Sequence, residues 1–131
     1  MIVVDTNVIA YLYLPGPLTA ATEGLLLRDP EWTAPRFWRS ELRNVLANYM
    51  RKKLLQFTEA VRIQQRAEEL MSGGEYEVGS LDVLKFVNVS GCSAYDCEFI
   101  ALAEHLDVKL VSADARLCRA FPKRAVLFTE T

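Results

Sequence analysis

Three branched apolar residues, Ile2-Val3-Val4, run straight into a carboxylate, Asp5. Thr6 and Asn7 follow, and then a second apolar run from Val8 to Leu12. An unbroken apolar run this short reads as a strand buried on both faces, the kind found inside a covered parallel sheet. In open α/β sheets ligands sit outside the carboxyl ends of the strands, so Asp5 points into the usual site.

The rest of the chain alternates helix and strand. Helices are expected from Asp5 to Leu14, Leu18 to Arg28, Arg36 to Leu55, Thr58 (as cap) to Met71, Ser80 to Asn88, Ser93 to Leu106 and Asp114 to Phe121. Pro15-Gly16-Pro17, Asp29-Pro30 and Ser72-Gly73-Gly74 separate several of them. Trp38, Leu42, Val45, Leu46 and Tyr49 recur at helical spacing as one core stripe. Strands are expected at Trp32–Ala34, Tyr76–Val78 (an edge), Val108–Ser112 and Ala125–Phe128. This order predicts an α/β fold, a mostly parallel sheet with helices on both faces. With 131 residues the chain is sized for one domain, 1–131.

Composition narrows the chemistry. No apolar run approaches the ~18 residues of a membrane span and no basic-then-apolar leader is visible, so a cytoplasmic location is expected. Cys92, Cys97 and Cys118 form no Cys-x-x-Cys pair and are expected as reduced, partly buried thiols. His105 is the only histidine and falls near a helix end, where a surface position is expected. That leaves carboxylates to carry any chemistry. The net charge of −2 hides an uneven distribution. Arg36, Arg39, Arg43, Arg51, Lys52 and Lys53 cluster around Glu41 alone, and Arg116, Arg119, Lys123 and Arg124 follow Asp114. Such clusters suit a nucleic-acid backbone or, at a helix C-terminus, the dipole.

Four acids stand out. Asp5 and Asp114 each end a strand and precede a helix, so each is an N-cap, a ligand, or both. Thr6, Asn7 and Ser112 are placed to orient these carboxylates. Asp96 closes a Ser93-Ala94-Tyr95-Asp96 capping box, and Glu98, about 200° round the helix, is expected in solvent. Glu41 borders the apolar stripe, with Asn44 and Asn48 continuing a polar line; pairing with Arg39 or Arg43 is its ordinary alternative. Grouped carboxylates repel and lose stability unless a divalent cation joins them. Mg²⁺ and Mn²⁺ favour oxygen ligands, and such a site suits phosphodiester cleavage.

Taken together, Asp5-Thr6-Asn7, Ser40-Glu41-Leu42-Arg43-Asn44-Val45-Leu46, Ser93-Ala94-Tyr95-Asp96 and Ser112-Ala113-Asp114-Ala115-Arg116-Leu117 resemble a PIN domain. They are most similar to the small toxins of VapBC-type toxin–antitoxin pairs. The resemblance implies a three-layer fold with about five strands and a Mg²⁺- or Mn²⁺-dependent endoribonuclease. Asp5, Glu41, Asp96 and Asp114 would be its catalytic, metal-holding acids, supported by Thr6, Asn7, Asn44 and Ser112. It also implies a homodimer and a cognate antitoxin covering the active-site groove. Ser112 stands where threonine is commoner, and Leu117 supplies no further acid, so one-metal and two-metal readings both stay open. Arg39 and Arg43 are expected to hold the RNA backbone beside Glu41. A haloacid-dehalogenase-type phosphatase fits less well, because Asn7 replaces its second acid and Lys109 precedes its strand. A catalytically silent PIN-like binding module, with the acids kept as caps, is the non-enzyme alternative.

Overall fold

The computed structural model describes residues 1–131, in which five strands form one parallel sheet. The strands are β1 (Ile2–Val4), β2 (Trp32–Pro35), β3 (Glu75–Tyr76), β4 (Leu110–Ser112) and β5 (Ala125–Leu127), ordered β3-β2-β1-β4-β5. All three residues of β1 are buried, as a strand flanked by β2 and β4 demands. The chain steps from β1 outward to β3 and then returns to lay β4 on the other side of β1. The order reverses between β1 and β4, and there the carboxyl ends leave a crevice.

Seven helices cover the sheet: α1 (Thr6–Tyr13), α2 (Thr19–Arg28), α3 (Trp38–Arg51), α4 (Phe57–Leu70), α5 (Ser80–Ser90), α6 (Ala94–Leu106) and α7 (Ala115–Ala120). Right-handed crossovers put α1 to α4 on one face and α5 to α7 on the other. Accordingly α1 packs on α2 and α3, while α6 packs on α5 and across β1, β2 and β4. None of these helices is long and apolar enough to cross a membrane. Trp38, Leu42 and Leu46 form the buried stripe of α3, with Val45 half-buried.

Several boundaries differ from the sequence expectation, each for a local reason. Helix α3 stops at Arg51, short of Leu55, because Lys53 turns left-handed (φ 58°). The Leu54 N–H then donates to the Tyr49 carbonyl (2.9 Å) and that of Lys53 to Met50 (3.0 Å), a Schellman closure without its usual glycine. The start of α3 slips to Trp38 because the Arg36 N–H is engaged in the sheet, donating to the Tyr76 carbonyl (2.9 Å). Helix α4 begins at Phe57, before Thr58, where the Gln56 N–H donates to Glu59 (3.2 Å). Strand β4 starts at Leu110 because the Val108 N–H is taken by the end of α6, donating to the Ala103 carbonyl (3.0 Å). Strand β3 lies earlier than Tyr76–Val78. Gly74 leads it against β2 so closely that a Cβ there would fall 2.3 Å from the Trp32 carbonyl oxygen. The chain after Leu127 turns into a short 3-10 segment, Phe128–Glu130. The three cysteines are free, and His105 is exposed in the last turn of α6.

Candidate active site

One cleft of about 220 Å³ opens at the β1/β4 crevice, lined by Asp5, Glu41, Asp96 and Asp114 and by Thr6, Asn7, Asn44 and Ser112. Val45, Phe99 and Leu117 complete it. The acids come from three directions. Asp5 and Asp114 stand at strand ends, Glu41 descends from α3 on one face, and Asp96 rises from α6 on the other. Phe37, next to α3, joins the two helix layers beside the cleft, with ring centroids 5.4 Å from Phe99 and 5.7 Å from Tyr95.

Capping turns out to be how the two strand-end aspartates are aimed. Asp5 Oδ1 accepts from the Val8 N–H (3.0 Å) and caps α1. Its Oδ2 accepts from the Ser112 hydroxyl (2.6 Å) and the Ala113 N–H (2.9 Å). Ser112 is fully buried and its oxygen also accepts from the Asp114 N–H (3.0 Å), so one hydroxyl ties both aspartates. Asp114 Oδ1 caps α7 by accepting from the N–H groups of Arg116 (2.9 Å) and Leu117 (3.3 Å), leaving Oδ2 without a protein donor. Thr6 serves Glu41 instead of the aspartates: its hydroxyl donates to Glu41 Oε1 (2.6 Å). Asn7 and Asn44 are exposed at the rim. At Asp96 the capping box is half made. The Asp96 N–H donates to Ser93 Oγ (3.1 Å), but no backbone N–H donates to the Asp96 carboxylate.

Burial is the first cause that raises the pKa of Asp5, Glu41 and Asp96. The Asp114 charge adds to the rise at Asp5 and Asp96, and Asp96 and Asp5 add to it at Glu41. The donors on Asp5 and the Thr6 hydroxyl on Glu41 pull the other way without cancelling it. Like charges confined in a partly dry cleft are what a cation relieves. The donors are all oxygen, which fits Mg²⁺ or Mn²⁺ and not a softer metal. No three of the acids stand as a ready-made cage. Mg²⁺ does not need one, since it binds through one or two carboxylates and keeps several waters.

Two expectations fail here. Arg39 and Arg43 each lie two residues from Glu41, about 200° round the helix, and neither lines the cleft. Arg39 grips Glu75 instead, through Nε to Oε2 (2.7 Å) and Nη2 to Oε1 (2.7 Å), and reaches Glu68 through Nη1 (3.0 Å). Arg43 is exposed along the α3–α4 groove. Glu41 therefore pairs with neither arginine. The cation that reaches the cluster is Arg116, whose charge, after the Ser93 hydroxyl, partly opposes the rise at Asp96. Its place was visible in sequence only as one of a basic group. Glu98 does face away from the cleft, but it is half-buried beside Glu77 rather than solvated, and its pKa is raised.

The Arg39–Glu75 pair carries a testable stability. Glu75 has its pKa lowered first by the Arg39 hydrogen bonds and also by Trp38 Nε1 (2.9 Å). A depressed carboxylate contributes stability above its unfolded pKa, and that stability is lost as pH falls through the folded value. Arg39→Ala is expected to cost roughly 2 kcal/mol at pH 7, less than a fully buried pair because part of Arg39 stays in water. Urea unfolding at pH 7 and near pH 3 checks it: the deficit should shrink in acid. An equal deficit at both pH values makes it a packing effect.

Comparison with known proteins places these features. The family model described as the PIN domain matches residues 2–121. Ribonuclease VapC3 of Pyrobaculum aerophilum is 27% identical, over 92% of this chain and 95% of its own length. The solved structure of PAE2754 from Pyrobaculum aerophilum superposes with a TM-score of 0.77 at 22% identity, covering 98% of this chain and 91% of that one. A toxin–antitoxin complex from Klebsiella pneumoniae gives a TM-score of 0.72 at 13% identity, covering 98% of each chain. At these identities the two solved structures share the fold.

Proposed function

The chain belongs to the PIN domain family, and from that membership we propose that it is a divalent-metal-dependent endoribonuclease, the toxin of a toxin–antitoxin pair. The carrying observation is the single cleft in which Asp5, Glu41, Asp96 and Asp114 meet at the sheet's switch point. Ribonuclease VapC3 is the named relative along nearly its whole length, which supports the reaction and the RNA substrate. The toxin–antitoxin complex among the structural relatives supports an antitoxin partner. The reading further takes residues 1–131 as one PIN domain acting in the cytoplasm as a homodimer.

Asp5, Asp114, Asp96 and Glu41 would hold Mg²⁺ or Mn²⁺. Once bound, the ion supplies Lewis acidity, polarising the phosphodiester and making water a nucleophile near neutral pH. The chain's own work is positioning. Ser112 and two backbone N–H groups lock Asp5 in one rotamer, and the capping bonds fix Asp114. Glu41, oriented by the Thr6 hydroxyl, keeps Oε2 without a protein donor and so presents one free oxygen to the cleft.

The test is cleavage of mixed single-stranded and looped RNA by the chain freed of any partner. Activity is expected with Mg²⁺ or Mn²⁺ and is expected to stop on addition of EDTA. Cleavage indifferent to EDTA overturns the metal assignment. Absence of cleavage across several RNA pools, with metal present, favours the binding-only alternative.

A further inference from the structure

The acid cleft does not end at its own rim. Past Asn7 and Val45, which line both, it continues into a mostly apolar cleft of about 380 Å³. This second cleft lies between α1, the Pro15-Gly16-Pro17 turn and the outer part of α3. Tyr11 and Tyr49 contribute its aromatic surface. Tyr49 continues the α3 stripe in sequence, yet it is 37% exposed because the helix runs out past the core after Leu46. Tyr11 is braced from behind by Phe128, at a centroid distance of 5.8 Å.

The far wall is rigid. The Thr19 hydroxyl donates to the carbonyls of Tyr11 (3.0 Å) and Leu14 (3.3 Å) and accepts from the Gly16 N–H (3.1 Å). Pro15 and Pro17 fix their own φ angles on either side. The cleft is therefore preformed, with the polar groups of Thr19 already spent within the chain.

We propose that this cleft is a base subsite, which receives one unpaired nucleobase of the RNA, stacked on Tyr49, next to the phosphodiester at the acids. The proposal rests on the nuclease reading for its phosphodiester. Four acids repel an RNA backbone, and Arg39 and Arg43 are turned away from them. The flat neutral base is the part of the nucleotide that this negative field does not oppose. Stacking on an aromatic ring tolerates any base, since every base has a π-face. It also requires that the base be free of a duplex partner, which selects single-stranded or looped RNA. Continuity with the acid cleft favours a base over a peptide side chain, because the nucleotide then spans both clefts at once.

The experiment uses octaribonucleotides carrying one 2-aminopurine at successive positions. They are titrated with the whole chain in EDTA at low salt, and mixed with it in Mg²⁺ on a stopped-flow timescale before cutting. Quenching of the 2-aminopurine is expected at one register. Tyr49→Phe keeps it, while Tyr49→Ala weakens binding roughly tenfold and abolishes the quench. Melting curves of both variants verify that they fold. Quenching at no register, quenching unchanged in Tyr49→Ala, or equal quenching with duplex RNA overturns the subsite and leaves a peptide side chain as the occupant. If the chain cuts RNA with metal but shows no quench, the subsite alone falls. If the quench depends on Tyr49 while no metal-dependent cleavage occurs, the subsite stands and the nuclease reading falls.

Discussion

An Asp5→Asn chain is expected to cut RNA about a thousandfold more slowly than the wild type at saturating Mg²⁺, while remaining folded. Asp5 is the most buried of the four acids and the one with the most donors. The amide removes a negative charge from the proposed ligand set, and several kcal/mol of metal-derived stabilisation go with it. It also turns one acceptor oxygen into a donor. Whichever way the amide is rotated, its NH₂ meets a backbone N–H, that of Val8 or that of Ala113. One buried donor left unsatisfied costs about 1–3 kcal/mol, offset in part by removal of a buried charge. Cleavage rates measured beside a thermal melt separate the two effects. A folded variant with activity within tenfold of wild type removes Asp5 from the chemistry.

The second large effect concerns metal and stability without any substrate. Asp5, Glu41 and Asp96 all have raised pKa values in the metal-free chain. A group whose folded carboxyl pKa lies above its unfolded one holds its proton longer when folded. Its stability contribution is thus present at low pH and falls as pH climbs from the unfolded value through the folded value. Asp96→Asn is therefore expected to leave the metal-free protein as stable as wild type, or more stable, at pH 7. Its side chain caps no backbone group, so what is lost is a favourable charge near the start of α6, ~0.3–1 kcal/mol, together with the attractions of Ser93 and Arg116 for the carboxylate. Wild type should gain ~2.7 kcal/mol at a hundredfold excess of metal over its dissociation constant, and the variant much less. Melts of both proteins with and without Mn²⁺ decide it. A variant that melts lower without metal and responds to metal as wild type does marks Asp96 as a structural residue only.

The two strand-end aspartates are legible because each sits in a local pattern that survives folding. Asp5 and Asp114 follow apolar strands and begin helices, and a strand-end cap has one outlet. Arg39 and Arg43 lie away from the acids because closeness along a helix is not closeness around it. Two residues of separation reverse the direction of a helical side chain, as the placement of Glu98 relative to Asp96 already implied. The partner of Arg39, Glu75, is 36 residues away and becomes its neighbour only through the β2–β3 pairing. Helix α3 ends earlier than its apolar pattern suggests because Lys53 adopts a left-handed conformation usually left to glycine. The division of labour in which Thr6 serves Glu41 and Ser112 serves Asp5 depends on tertiary contact alone.

The reversal of strand order also sets a schedule. Asp5 is made early, but the Ser112 hydroxyl that holds it lies 107 residues later. At about 5–20 residues per second, β1 waits roughly 5–20 s on the ribosome before β4 is synthesised. Closure of so long a loop into a parallel pair is slow in its own right. Until then the emerging polypeptide carries Asp5 and Glu41 apart from Asp96 and Asp114, and an interrupted copy ending before β4 has no assembled acid cluster. For an enzyme that cuts RNA, built on an RNA machine from an RNA template, the crossing of the chain back over its first strand delays assembly of the acid cleft until β4 has been synthesised.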